Sequence, residues 1–417
     1  MRFQKGEIPI HGKTNSQATV LQTIYHYGPI TRPDIADFLS LTRPTITTAV
    51  KTMVEKGIVT EISDLPEPGQ GEAVPGRKAY PVDIVADSRY FLGVEMRRGH
   101  RAACLTDYRG HVVYRDCEEA CYQVYEENMQ AVCRMITRAF ENCGIPKSRI
   151  AGIGICVPGL VDREKGMLQI YPGYGWKDKY IRTDVLAGID YEGPVAVSNN
   201  SCARAWSMQM FQKVPLTGQS FAYMFISTGI ACPLMLNDFN SCGSVVGIGE
   251  VGHTVMDPDG PVCRCGNQGC LEAFSSDRAV IEQCRQELQK GNAPILERIC
   301  GEGPVTMERI IKAQAEGDPA ISAIVKKAVY ILALSVTNIC NFTCPSTMFI
   351  DGVLFDNEEN QTLLKDVIVR HLYSATHAHT DIIFLKPDIY SGAVGGAAVA
   401  VAENLANYQE KKGRANG

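Results

Sequence analysis

Gly249-Glu250-Val251-Gly252-His253 and, ten residues beyond that histidine, Cys263-Arg264-Cys265-Gly266-Asn267-Gln268-Gly269-Cys270-Leu271-Glu272 decide how this chain is read. His253, Cys263, Cys265 and Cys270 are borderline and soft donors of the kind that hold zinc in a tetrahedron. Gly266 and Gly269 allow the tight turns that bring Cys270 back onto the same ion. Four protein donors need no water to complete the shell, so the expected zinc is structural. The other cysteines, of sixteen in 417 residues, are scattered without a secreted context. They read as reduced thiols of a cytoplasmic protein.

Around this loop the hydrophobic pattern is that of an α/β protein. Upstream, the spacing predicts strands at 91–95, 101–107 and 111–117, a helix at 127–142 and a buried strand at 150–156. A second series follows: a strand at 195–197, a helix from Ser201, and strands at 222–226 and 232–236. Helices are expected at about 277–290, 305–315 and 319–341, then strands at 348–351 and 382–386. A glycine-rich final helix starts near Gly392. Two α/β lobes with mixed sheets and a cleft between them are the natural packing. Residues 328–350 lack charges, but Asn338, Asn341 and Pro345 make them a buried helix running into a buried strand, not a membrane span. The first residues lack the apolar core of a secretory signal, and no membrane partner is expected.

The head of the chain has a different rhythm. Three short helices fit residues 14–57. Thr31 and Thr42 stand where hydroxyls cap the second and third, each followed by a proline in the first turn. The short Ser40-Leu41 turn between them makes a helix-turn-helix. Ile46, Ala49, Val50 and Met53 form the inward face of the third helix. Opposite lie Thr45, Thr47, Thr48, Lys51 and Thr52, with Arg43 at the start. Short hydroxyls let a helix approach base edges, and Arg43 and Lys51 can reach phosphates or guanine. Alternating residues 58–62, a Pro/Gly-rich stretch and the strand-like 79–85 complete a winged helix. Arg77, in Gly76-Arg77-Lys78, is placed to enter a minor groove.

Composition agrees with a soluble globular protein: 45% of residues are hydrophobic, 21% are charged, and the net charge is −5. No global basic field advertises nucleic acid, yet residues 1–80 carry one more basic than acidic side chain. That local balance is compatible with DNA contact confined to the head.

The zinc segment resembles the signature of the ROK family (repressors, open reading frames and kinases), Cys-x-Cys-Gly-x-x-Gly-Cys-x-Glu preceded by Glu-x-Gly-His. Val157-Pro158-Gly159-Leu160-Val161-Asp162, with Gly166 and Trp176, resembles the family's Pro-Gly-x-Val-Asp segment. The winged head and Gly-Arg-Lys segment are similar to its transcription-factor branch. The resemblance covers nearly the whole chain. It implies an N-terminal winged helix-turn-helix at 1–65, a wing or linker at 66–87, and a two-lobed actin-like (ribonuclease-H-like) body. The first lobe would span 88–197, rejoined by a helix at 392–408; the second, carrying the zinc motif, would span 198–391. Glu250, His253 and Glu272 resemble the family's sugar contacts. Asn199 matches the first residue of its Asn-Asp pair, and Asn200 stands in the second position of that sugar site.

Three departures set this chain apart from the family's kinases. Where they carry the Asp that takes a sugar hydroxyl's proton, this chain has Asn200, and an amide is no general base at neutral pH. The first phosphate loop, Asp-x-Gly-Gly-Thr in kinases, reads Glu95-Met96-Arg97-Arg98-Gly99. The second reads Ser227-Thr228-Gly229-Ile230-Ala231-Cys232-Pro233, which adds side chains and removes a backbone donor. The expectation is a sugar-responsive regulator without catalytic residues. Its partners are operator DNA and a sugar or sugar phosphate, and its assembly is a homodimer or homotetramer. The competing reading is an ATP-dependent sugar kinase with an added head.

Overall fold

The computed structural model describes residues 16–63, 80–119, 123–211, 220–236, 239–240, 246–373 and 380–408. In the head, α1 (Ser16–Tyr27), α2 (Arg32–Leu39) and α3 (Arg43–Glu55) surround Leu21, Ile24, Ile35, Ile46, Val50 and Met53, all buried. The Thr31 hydroxyl accepts from the Asp34 amide and Thr42 from the Thr45 amide, so both expected caps are formed. Strand β1 (Val59–Glu61) pairs antiparallel with β2 (Val82–Ile84), and Ile30 bridges to Val82. This two-stranded ribbon beside three helices is a winged helix.

The body is built on two sheets. The first has the order β10-β6-β3-β4-β5, from β3 (Tyr90–Arg97), β4 (His100–Asp107), β5 (Val112–Glu118), β6 (Ile150–Val157) and β10 (Val195–Asn199). Helices α4 (Tyr125–Asn142) and α5 (Ile181–Gly188) cover its outer face, packing on Leu92, Val94, Ile153 and Val197. Three short strands, β7 (Leu160–Asp162), β8 (Met167–Tyr171) and β9 (Trp176–Lys179), form a separate sheet that the sequence pattern did not announce.

Helix α6 (Asn200–Phe211) leads into the second sheet, ordered β14-β13-β11-β15-β16 with β12 beside β11. Its strands are β11 (Phe221–Ile226), β12 (Ile230–Ala231), β13 (Leu234–Leu236), β14 (Phe239–Asn240), β15 (Thr347–Asp351) and β16 (Asp381–Leu385). The single strand expected at 232–236 is broken: the Cys232 amide bonds to Gly249 O at 2.7 Å instead of a neighbouring strand. On the outer face lie α7 (Leu271–Ser275), α8 (Asp277–Gln289), α9 (Pro294–Cys300), α10 (Met307–Ala315), α11 (Pro319–Thr343) and α12 (Glu358–His371). The sequence reading had not picked out α9 or α12. Helix α11 is long and apolar enough to cross a membrane, yet its inward side is buried against α12 and the sheet, with Leu332 and Val336 fully enclosed. It is the core helix of this lobe.

The final helix, α13 (Ser391–Ala406), returns to the first sheet, where it lies between the two sheets beside α6. Its glycines are explained by contact. A Cβ on Gly93 would fall 1.8 Å from Ala393 O, and one on Gly154 1.9 Å from Gly396 O. Backbone meets backbone there, and any larger residue would force the helix off the sheet. The inner faces follow strand alternation. Phe91, Gly93 and Glu95 of β3 share one face, while Tyr223, Phe225, Phe349 and Asp351 present the matching face of the second sheet. Glu95 and Asp351 therefore end up near one another, with α6 between them.

Candidate functional site

The loop that opened the sequence reading folds as a compact knuckle. Cys263 N–H donates to Asn267 O at 2.8 Å, Val255 bridges to Cys270, and Leu271 N–H returns to Thr254 O at 2.9 Å. Gly266 and Gly269 take φ of 91° and 73°, the left-handed region that the tight turn requires. The ligand atoms of His253, Cys263, Cys265 and Cys270 all lie within 4.8 Å of one another. Cys265 Sγ stands 3.7 Å from Cys270 Sγ, and Cys263 Sγ 3.8 Å from His253 Nδ1. A tetrahedral zinc with sulfur bonds of about 2.3 Å spaces its thiolates by about 3.8 Å. The donor set fits a structural zinc, with Nδ1 the metal-facing nitrogen and Nε2 turned away. The Asn267 amide lowers the Cys265 thiol, favouring the thiolate that a metal needs.

The knuckle carries Glu250 at its entrance and Glu272 at its exit. Glu250 shares a recess with Asn199, together with Gly159, Leu160, Val161 and Arg163 of the segment around β7 and Ser201 of α6. Burial raises the Glu250 carboxyl above its usual range; nearby His253 opposes this and Glu272 adds to it. All three side chains are thus within electrostatic reach of one another. Asn199 is held by its neighbours: Nδ2 donates to Gly159 O at 2.8 Å, and Oδ1 accepts from the Ser201 amide at 2.9 Å and its hydroxyl at 2.6 Å. A carboxylate and an amide on the wall of one recess can accept from and donate to adjacent hydroxyls of one ring.

His253, Glu272 and Asn200 are not among the lining residues of that recess. Glu272 is buried and accepts from Arg264 Nη2 at 3.0 Å; the same nitrogen donates to Thr228 O at 3.1 Å. Asn200 is buried too, and its Nδ2 donates to Glu95 Oε1 at 3.1 Å. Its partner Glu95 is fully enclosed and ion-paired with Arg204, Nη1 to Oε1 at 2.6 Å and Nη2 to Oε2 at 3.1 Å. Burial alone would raise the Glu95 carboxyl, but the Arg204 guanidinium outweighs it and holds the group below its ordinary value. Arg204 Nε also lies 3.6 Å from Asp351, which accepts from the Tyr223 hydroxyl at 2.7 Å. Sequence reasoning missed this network because its members come from distant segments; the only local hint was Arg204 four residues after Asn200 on one helix face.

Both segments compared with phosphate loops are closed turns. Arg97 pairs with His100 at the end of the β3–β4 hairpin, so only Arg98 and Gly99 make the turn. Ser227–Gly229 is the tight turn between β11 and β12, closed by Ser227 N–H to Gly229 O at 2.9 Å. The Asp277 amide donates to Ser227 O at 2.8 Å, which sets a further carboxylate beside the second turn.

On the head, Arg43, Thr47, Thr48 and Lys51 are exposed along one side of α3. Thr45 is half-buried, with its hydroxyl 2.8 Å from that of Thr42, so it serves the helix cap as well as facing outward. Thr47 and Thr52 donate to the carbonyls of Arg43 and Thr48, which leaves their methyl groups outermost. Arg77 lies outside the described residues.

The sequence model of the ROK family matches residues 91–403, and that of the MarR family residues 13–64. The xylose repressor of Bacillus subtilis is 26% identical over 353 residues, covering 83% of this chain and 84% of that protein. Among solved structures, a ROK family transcriptional regulator described as a homologue of the E. coli Mlc protein superposes with a TM-score of 0.77 at 22% identity. That match covers 94% of this chain and 96% of the other. A ROK family glucokinase from Streptomyces griseus, solved with glucose and AMPPNP, gives 0.65 at 22% identity and covers 75% of this chain and 99% of its own. The kinase likeness thus omits a quarter of this chain, while the regulator likeness takes in nearly all of it.

Proposed function

The chain belongs to the ROK family, and from that premise we propose that it is a sugar-responsive, DNA-binding transcriptional regulator, a cytoplasmic repressor of carbohydrate genes. The observation that carries this reading is the recess that Asn199 and Glu250 both line, in a chain whose first phosphate segment holds Arg97 and Arg98 and whose second holds Pro233. A site of that kind binds hydroxyls and transfers nothing. The exposed Arg43, Thr47, Thr48 and Lys51 supply the DNA-reading face, with Arg77 as the minor-groove contact. A winged helix reads paired half-sites when the body fixes their separation, so the working unit is a homodimer or homotetramer. The name of the Bacillus subtilis relative supports a sugar as effector.

His253, Cys263, Cys265 and Cys270 would hold one zinc. Zinc supplies structural bracing there, fixing the tautomer of His253 so that Nε2 is free to meet a sugar hydroxyl. Glu250 accepts hydrogen bonds from the ring hydroxyls at the recess, and Glu272 completes the acidic side of the site once Arg264 swings off it. Asn200 contributes through its contact with Glu95.

The experiment that tests the reading pairs two measurements on the full chain. Thermal shift against a panel of sugars and sugar phosphates should find one that raises the melting temperature, since a ligand specific to the native state stabilises it. A coupled assay with ATP and the same panel should give no turnover. Turnover would establish the competing reading, a sugar kinase with an added head, whose body the Streptomyces glucokinase resembles in fold.

A further inference from the structure

We infer that α6 is the mechanical link through which the head senses the recess, with Tyr25 of α1 as the receiving residue. This rests on the reading of the recess as a sugar site and adds how that site is coupled to DNA binding.

The two ends of α6 touch the two functional regions. At its start, Asn199 Oδ1 accepts from the Ser201 amide and hydroxyl, which makes it the cap of the helix while its side chain also lines the recess. A hydroxyl ligand competing for Asn199 acts directly on that cap. At the other end, Tyr25 is buried with its hydroxyl 3.0 Å from Met210 O on α6 and 2.9 Å from Tyr108 O at the end of β4. Twelve residues of helix span about 18 Å between these ends.

Tyr25 is held between two elements that α6 can move apart. One carbonyl belongs to α6 and the other to the strand end, so a slide of the helix along the sheet must lengthen one contact. The same end of α6 presses Phe211 against Gly110, where an added Cβ would come within 2.4 Å of the ring. Arg109, next to Gly110, donates to Tyr25 O at 2.7 Å and is ion-paired with Asp83 of the wing strand β2. A displaced turn would therefore pull on both α1 and the wing. Between the ends, Gly395 of α13 lies against the Ala203 backbone, a close backbone contact. The apolar cluster is also continuous, running from Ile24 and Ile46 through Tyr25 and Tyr108 to Trp206 and Val399. Packed cores transmit strain because they do not compress.

Coupling through α6 carries a change at either end to the other. Hydrogen–deuterium exchange on the full chain tests this without knowledge of the sugar or operator. Tyr25→Phe deletes one hydroxyl and should change exchange in the first turn of α6 by about fivefold or more. Asn199→Ala should change exchange of the α1 amides around Tyr25 to a similar degree. Phe211→Ala, a half-buried site, gives a second route should Tyr25→Phe fail to fold. Changes confined to the mutated end in these variants would overturn the link. D-xylose, D-glucose and N-acetyl-D-glucosamine then serve as probes. A sugar that alters both ends in the unmodified chain should alter only the α6 start in Tyr25→Phe. A head response retained in Tyr25→Phe would also overturn the link. If no sugar alters exchange anywhere, the sugar reading fails, while the reciprocal variants still decide the role of α6.

Discussion

Arg204 and Glu95 form a fully buried ion pair, 2.6 Å from Nη1 to Oε1, that ties α6 to the first sheet. A buried charge without its partner is far more costly than the pair itself is favourable. Arg204→Met should therefore cost about 3–5 kcal/mol in chemical denaturation. Combining it with Glu95→Gln should recover a large part of that loss. A double variant no more stable than the single one would show that shape, and not charge, sets the cost.

The sequence revealed what is local and hid what is assembled. The His253, Cys263, Cys265 and Cys270 cluster, the helix caps at Thr31 and Thr42, and the apolar face of α3 all depend on residues within a turn or a short loop, and they read directly. The Glu95–Arg204–Asp351–Tyr223 network joins four segments, and only tertiary packing brings them together. The strand expected through 232–236 failed because Cys232 bonds to Gly249, a partner that no periodicity encodes. Thr45 was read as a DNA-facing residue, but its hydroxyl also meets Thr42, so its side chain has two tasks. Of the residues proposed for a sugar site, Asn199 and Glu250 share the recess wall, whereas the Arg264 contact on Glu272 could not be foreseen from spacing alone.

Asp277 gives a pH signature. Burial, with Glu308 and to a lesser degree Asp351 adding to it against Arg97, pushes its carboxyl up to about 7. One carboxylate oxygen is enclosed without a hydrogen-bond partner. An unfolded aspartate titrates near 3.9, so the native chain binds the extra proton between about pH 4 and pH 7. The stability from that proton is present at low pH and is lost as pH rises through 7. Asp277→Asn removes this loss. Its melting temperature should exceed that of the unmodified protein by more at pH 8 than at pH 5, and an equal difference at both would refute the shifted carboxyl.

The zinc assignment predicts about one zinc per chain by elemental analysis. Cys265→Ser should lose the metal and the sugar-induced melting shift together, because the knuckle carries both Glu250 and Glu272. A zinc-free protein that still responds normally to its sugar would remove the metal from the mechanism.

For DNA, an operator selected from random sequence should bind more weakly to Arg43→Ala and Thr48→Ala without loss of fold. Lys51 is exposed, with only a loose 3.8 Å pairing to Glu55. Lys51→Ala should weaken binding to all sequences alike and reduce the salt slope by about one. Thr42→Ala should differ, removing the N-cap of α3 and lowering stability by about 1 kcal/mol as well as weakening binding. An unchanged footprint in all four variants would exclude α3 as the reading helix.

The last prediction concerns Asn200→Asp, the change that would recreate the kinase base. In a kinase that carboxylate takes the sugar hydroxyl's proton, and restoring one general base commonly returns about 10²–10⁴-fold in rate. Here the position is already engaged with a buried carboxylate. Asn200 Nδ2 donates to Glu95 Oε1 at 3.1 Å, so an aspartate would lose the donor and set a second carboxylate against a buried one. Like charges at that separation in a dry site push one group to stay protonated, which disables it as a base at neutral pH. Arg97, Arg98 and Pro233 would still stand in the segments compared with phosphate loops, and phosphoryl transfer depends on holding the group in line. Asn200→Asp should therefore lower the melting temperature and yield no ATP-dependent turnover of any sugar the protein binds. Turnover from that single change would mean that the closed turns open to admit ATP, and that the body is a kinase silenced at one residue.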